Sequence, residues 1–180
     1  MSPASNWPGI AAERFANQCR EIIAPFLDEY GFRCVRDHVT PNSASLSFAN
    51  GDRYVALSLS FDPRDAPHAC RVILGEGSQE MPECDWNGIG LWRLVDQPRT
   101  NPVEIKGVDD VDSALAEVLM QLQQAAPDFL RGDVRRFRAA RVDQNKDREP
   151  YTISAPDDAG KYVSRPDPAS IVLKERYSKP

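Results

Sequence analysis

The chain has 180 residues, is 41% hydrophobic and 27% charged, and carries a formal net charge of −5. That length fits one domain, and the apolar content is enough for a core, which excludes global disorder. The acidic balance argues against a general nucleic-acid binder, which needs a net basic face.

Trp7-Pro8-Gly9 leads into a predicted helix. Phe15, Cys19, Ile22, Ile23, Phe26, Leu27 and Tyr30 recur at three- and four-residue steps and form one apolar stripe. Pro25 removes a hydrogen bond and clashes with the turn before it, so a kink or break is expected near 21–24. Gly31 supplies the C-terminal stop.

Residues 32–39 are expected as the first strand, followed by a Pro41-Asn42-Ser43 turn. Leu46 and Phe48 alternate with serines, and Val55, Leu57, Leu59 and Phe61 alternate with Tyr54, Ala56, Ser58 and Ser60. Strict alternation means one buried and one wet face. Asn50-Gly51 between the runs predicts a hairpin over 44–49 and 53–61, with positive φ at both turn residues. A Pro- and Asp-rich loop over 62–67 precedes a strand over 69–74, with Cys70, Val72 and Leu74 on one face. Residues 75–87 read as an acidic loop and 88–95 as a fifth strand, weakened by its glycines.

Asp109 or Asp110 is expected to cap a second helix, whose stripe is Val111, Leu115, Val118, Leu119 and Leu122. Pro127 opens a third helix burying Phe129, Leu130, Val134 and Phe137. From residue 143 onward the chain turns polar, with five prolines in 38 residues. The predicted organisation is a single α+β domain over 1–142 and a Pro-containing tail over 143–180, docked or partner-binding. The domain has an N-terminal helix, a four- to five-stranded antiparallel sheet and two C-terminal helices on one sheet face, and the tail is extended. The open sheet face would carry Tyr54, Ser58, Ser60 and Arg71, with Ser45 and Ser47.

No motif of catalysis or cofactor binding is present, so no catalytic residue, cofactor or metal ligand is assigned. Cys34 with His38, His68 with Cys70, and Cys84 lack the close-pair spacing of zinc ligands. Gly75-Glu76-Gly77-Ser78 lacks the lysine of a phosphate loop, and its acidic neighbours would repel phosphate. No Gly-x-Ser-x-Gly elbow surrounds a serine. Four widely spaced cysteines read as reduced thiols. No apolar run approaches the ~18 residues of a bilayer span, and residues 1–13 lack the features of a signal peptide, so a cytoplasmic protein without a membrane partner is expected.

Interaction with another protein is the leading expectation. Candidate contacts are the acidic loops, with Asp62, Arg64, Asp65, Glu76, Glu80, Glu83 and Asp85, and Trp86 as an exposed anchor. A basic partner would fit them, since opposite charge speeds encounter. Residues 127–150 hold seven basic against five acidic side chains, and Arg131, Arg135 and Arg138 on one helix face would grip an anion or partner. Ile171, Val172, Leu173 and Tyr177 form an apolar strip in the tail. The shape is similar to bacterial immunity and accessory proteins, a likeness of fold alone, and it implies an inhibitor-like binding protein. Two alternatives stand beside it. One is an assembly subunit, a homo-oligomer whose tail wraps a neighbour. The other is a small ligand-binding domain or enzyme using the sheet concavity, marked by a deep pocket under Tyr54 and Arg71.

Overall fold

The computed structural model describes residues 7–62, 64, 68–95, 103–156 and 160–179. The fold is mixed α+β. An N-terminal helix α1 (Trp7–Gln18) runs through a π turn (Cys19–Ile23) into α2 (Ala24–Asp28). Pro25 falls in the first turn of α2, where its missing N–H needs no partner, and the irregularity expected from it is taken up by the π turn. Gly31 ends the helix at φ 78°, and the Phe32 N–H returns to the Leu27 carbonyl at 3.1 Å.

Four strands then form an antiparallel meander: β1 (Arg33–Thr40), β2 (Ser43–Asn50), β3 (Arg53–Ser60) and β4 (Ala69–Glu76). The β2–β3 turn differs from expectation. Asn50 pairs with Arg53, so Gly51 and Asp52 are the central residues, and Gly51 alone has positive φ, at 62°. A positive φ at the first central position is the signature of a II′ turn, which glycine adopts without a steric penalty.

A short helix α3 (Cys84–Asn87) leads into β5 (Gly88–Gly90), and a 3-10 turn (Leu91–Leu94) follows where a longer strand was expected. Gly88 explains the close approach, since a Cβ there would stand 2.8 Å from Ile73 Cγ2 and 3.0 Å from the Cys84 carbonyl. β6 (Val103–Glu104) pairs with the start of β4. Three helices complete the body: α4 (Asp110–Ala125), α5 (Pro127–Arg131) and α6 (Arg135–Asn145). Gly132 at φ 101° splits the expected third helix into α5 and α6. Asp109 stands at the N-cap of α4 without a side-chain cap bond, and the Asp110 carboxylate accepts from the backbone N–H groups of Lys106 and Gly107 in the turn before the helix.

The core lies on one face of the sheet. Leu46, Phe48, Val55, Leu57, Leu59 and Leu74 meet Phe15, Cys19, Ile23 and Leu27 of the N-terminal helix, and Leu115, Val118 and Leu122 of α4. Each such large side chain contributes about 1.5–3 kcal/mol by leaving water, which stabilises the layer against its ordering entropy. α1 lies over β2 and against α4.

The tail is more ordered than its composition predicts. A hairpin of β7 (Thr152–Pro156) and β8 (Tyr162–Pro166) leads into α7 (Pro168–Tyr177), whose start is capped by Asp167. Leu173 and Tyr177 pack with Trp86 and Tyr151 in a second small apolar cluster. Trp86, expected to stand exposed, is fully buried there. A short apolar run in a polar segment orders once a body surface offers it a partner, and composition alone does not reveal that surface.

Candidate functional site

The register aligns three rows on the sheet face away from the core. They are Ser45–Ser58–Arg71, Ser47–Ala56–Ile73–Gly90 and Ala49–Tyr54–Gly75–Gly88. Arg36 and His38 extend two of these rows onto β1. Over the second and third rows the segment from Gly77 to Asn87 folds back as a roof. The roof is tied down by Tyr54, whose hydroxyl donates to Asn87 Oδ1 at 2.7 Å, and by Asn145 of α6, which donates to the Trp86 carbonyl at 2.8 Å, while Gln144 of α6 donates to the Gly88 carbonyl of β5 at 3.0 Å. Asn87 in turn donates to the Ser78 carbonyl at 2.6 Å.

Between roof and sheet lies a cleft of about 270 Å³. Its floor is Ser45, Ser47, Ala56, Ser58, Ile73 and Gly90, and its walls include Arg36, Gln79, Cys84, Asp85 and Gln144. The row rule explains the small floor, because the large aliphatic residues of β2 and β3 and Phe48 point into the core, while serine and alanine, with Tyr54 at one end, occupy the opposite face. Tyr54 lines the cleft as expected, whereas Arg71 does not. Arg71 borders a separate hollow of about 50 Å³ with Ser58, Ser60 and Ala69.

The acidic residues expected to form a partner-binding rim are paired within the molecule. Glu76 is not in a loop. It ends β4, is 8% exposed, and accepts from Arg138 at 2.9 Å and Arg141 at 3.2 Å. Glu80 meets Arg36 at 3.1 Å, and Glu83 meets Arg176 at 3.2 Å and the Tyr177 hydroxyl. Asp85 accepts from the Tyr151 hydroxyl and stands 3.7 Å from Arg148. Asp62 binds Arg64, which holds its carboxyl below the usual carboxylate range. Asp65 lies outside the described residues.

The arginine grip also separates. Arg131 is on α5 and lies over the Tyr30 ring, 5.9 Å from its centre. Arg135 is bound to Asp133, whose carboxyl the guanidinium pulls down to about 2, and Arg138 is bound to Glu76. The break at Gly132 and these separate carboxylates leave no shared anion site. In the tail, Leu173 and Tyr177 face the body and are 8% exposed, whereas Ile171 and Val172 are 40% and 54% exposed.

Nothing in the cleft is set up as a nucleophile with its base. His38 and His68 do not line it. Burial, followed by the neighbouring Asp85 charge, pushes the Cys84 thiol up and keeps it protonated. Among the described residues no three His, Cys, Asp or Glu side chains stand together as a metal set. No described helix is long and apolar enough to cross a membrane. No family model matches the chain, and no curated protein and no solved structure matches it at a significant level. None of these comparisons supports the likeness to immunity proteins expected from the sequence.

Sequence reasoning placed Ser45, Ser47, Tyr54 and Ser58 on this face but missed Gln79, Gln144, Arg36 and Cys84. The signal within reach was Gly88-Ile89-Gly90, since alternating glycines in a strand mark a place where something approaches the backbone closely.

The roof also makes the protein sensitive to alkali. Burial raises the Tyr54 phenol, and burial with the Asp85 contact pushes Tyr151 up to about 12. Unfolded phenols ionise near pH 10. The folded state keeps these protons longer, so their stabilisation is complete below about pH 10 and is lost as pH rises through the folded values. The melting temperature should fall above about pH 10, and Tyr54→Phe should flatten the fall. Equal slopes for both proteins would show that Tyr54 does not carry it.

Proposed function

We propose that this protein is a small-molecule-binding domain whose site is the roofed cleft on the open sheet face. The observation that supports the reading is a concavity of about 270 Å³ whose floor of small residues includes two serine hydroxyls and whose walls bring two carboxamides to the same space. Among the described residues, the hydroxyls of Ser45 and Ser58 have no protein partner. Functional pockets combine concavity with a few convergent polar groups in this way. The acidic rim supports an inhibitor of a basic protein less well, because each described acid there already faces an arginine or a tyrosine hydroxyl.

Ala56→Phe tests the reading. Ala56 sits mid-floor and points away from the core, so the ring should fill the cleft and leave the fold standing. Fragments that bind the wild-type chain in ligand-observed NMR should lose binding to the variant, with an unchanged melting temperature. Retained binding would move the site elsewhere.

A second reading is favoured by one observation, the exposed hairpin. β8 is exposed throughout, with Tyr162 at 72% and Val163 at 39%, and Ile153 on β7 is 36% exposed. A two-stranded hairpin is marginal alone in water. These exposed apolar side chains support a second copy of the chain as the partner, each hairpin covering its counterpart in the other copy. Light scattering should then show concentration-dependent association, which Tyr162→Glu abolishes; a monomer at every concentration would sink the idea.

A further inference from the structure

The cleft is selective in what its walls leave unsatisfied. Its two carboxamides are each held at one end. Gln79 Oε1 accepts from the Ser47 hydroxyl, which leaves the Gln79 NH2 as a donor. Gln144 Nε2 donates to the Gly88 carbonyl, which leaves Gln144 Oε1 as an acceptor. A fixed donor and a fixed acceptor in one cleft complement a ligand edge that places an acceptor beside an N–H. Cyclic amides and amidines have that edge; a single glutamine reads such a donor–acceptor edge on adenine with both ends of its carboxamide, and here the two ends come from two residues.

Charge and size narrow the class further. The charged residues of the lining are Arg36 and Asp85, and both are already engaged, Arg36 with Glu80 and Asp85 with Tyr151 and Arg148. Each of these charges is offset by its partner, so the lining offers no net charge to attract an ionic ligand. A cavity of ~150 Å³ holds benzene, so about 270 Å³ takes one or two fused rings. The floor of Ala56, Ser58 and Gly90 projects little above the sheet, and Ile73 offers an apolar contact to a ring face. The Ser45 and Ser58 hydroxyls can each donate or accept toward a second edge.

We infer that the cleft takes an uncharged, flat heterocycle of nucleobase size bearing a cyclic amide or amidine edge. The inference rests on the ligand-binding reading above and adds the class of ligand.

The test uses the full, ¹⁵N-labelled chain and four size-related probes: uracil and hypoxanthine as cyclic amides, orotate as a charged counterpart, and indole as a flat ring without an acceptor edge. Saturable shifts of the Gly88, Gly90 and Ser58 amides are expected with uracil or hypoxanthine. Orotate and indole should bind at least about tenfold more weakly, the scale of losing one matched hydrogen bond. Gln79→Met and Gln144→Met keep side-chain length, and each should weaken the amide probes by about as much. The wild-type comparison stands even if a variant fails to fold. Equal or stronger binding of orotate or indole at the same amides would overturn the ligand class and leave the cleft as a binding site. No shift at those amides with any probe would overturn the class, and Ala56→Phe losing no fragment would overturn the site itself.

Discussion

Glu76→Ala is expected to destabilise the protein by about 3–5 kcal/mol, the cost of removing one partner from a buried ion pair. Glu76 and Arg141 each keep only 10% of their side-chain exposure, and they meet at 3.2 Å. Arg138, half exposed, supplies a second guanidinium at 2.9 Å. The Arg141 guanidinium also lies between two rings, 5.4 Å from the centre of Phe137 and 5.0 Å from that of Tyr177. Burial there pulls its pKa down, opposed by the Glu76 charge. Without Glu76 that cation has no carboxylate and cannot reach water without disturbing α7. Arg141→Met should cost less, because Glu76 keeps Arg138. The double change Glu76→Leu with Arg141→Met should recover much of the loss, since an apolar pair replaces a desolvated ionic one. Urea unfolding of the three variants measures this, and a Glu76→Ala loss below about 1 kcal/mol, the size of an exposed pair, would show the contact to be solvated.

Trp86→Ala is expected to cost a similar amount, about 3–5 kcal/mol, and to release the tail. The indole is fully buried, 5.9 Å from the Tyr151 ring in an edge-on arrangement, and carries the Arg148 guanidinium 4.3 Å over its face. Leu173 and Tyr177 of α7 complete the contact. Asn145 of α6 donates to the Trp86 carbonyl at 2.8 Å, so the same residue joins the roof of the cleft, α6 and the tail. Among the described residues the Trp86 indole N–H has no partner. Trp86→Phe should therefore cost clearly less than Trp86→Ala, since it keeps most of the apolar surface and removes an unsatisfied donor. Limited proteolysis distinguishes a local from a global effect. The alanine variant should be cut first between residues 146 and 179 while the sheet core stays intact. An unchanged digestion pattern would show that α7 holds to the body without Trp86.

Both predictions concern residues first read as surface features. Glu76 sits in a run of acids, and Trp86 stands between Asp85 and Asn87, so local composition described each as wet. Their partners are distant: Arg138 and Arg141 lie 62 and 65 residues from Glu76, and Asn145 lies 59 residues from Trp86. A charge pattern counts signs along the chain and is blind to which opposite charges the fold brings within 3 Å.

What the sequence determined by itself is the sheet and its sidedness. The alternation of Val55, Leu57 and Leu59 with Ala56, Ser58 and Ser60 dictates the buried face, because a one-residue slip would turn every apolar side chain to water. The same alternation placed serines and an alanine on the opposite face, which became the floor of the cleft. The stripe of the first helix and the disruption at Pro25 were equally legible, since both follow from contacts within four residues. Only the tertiary structure decided what covers that floor. Gln79 in a loop and Gln144 at the end of α6 lie 65 positions apart in the chain, and neither belongs to a periodic pattern. They share a cleft because β4 turns the chain back over the sheet and α6 packs beside β5, so the cleft is a product of packing between elements, to which a local pattern carries no information.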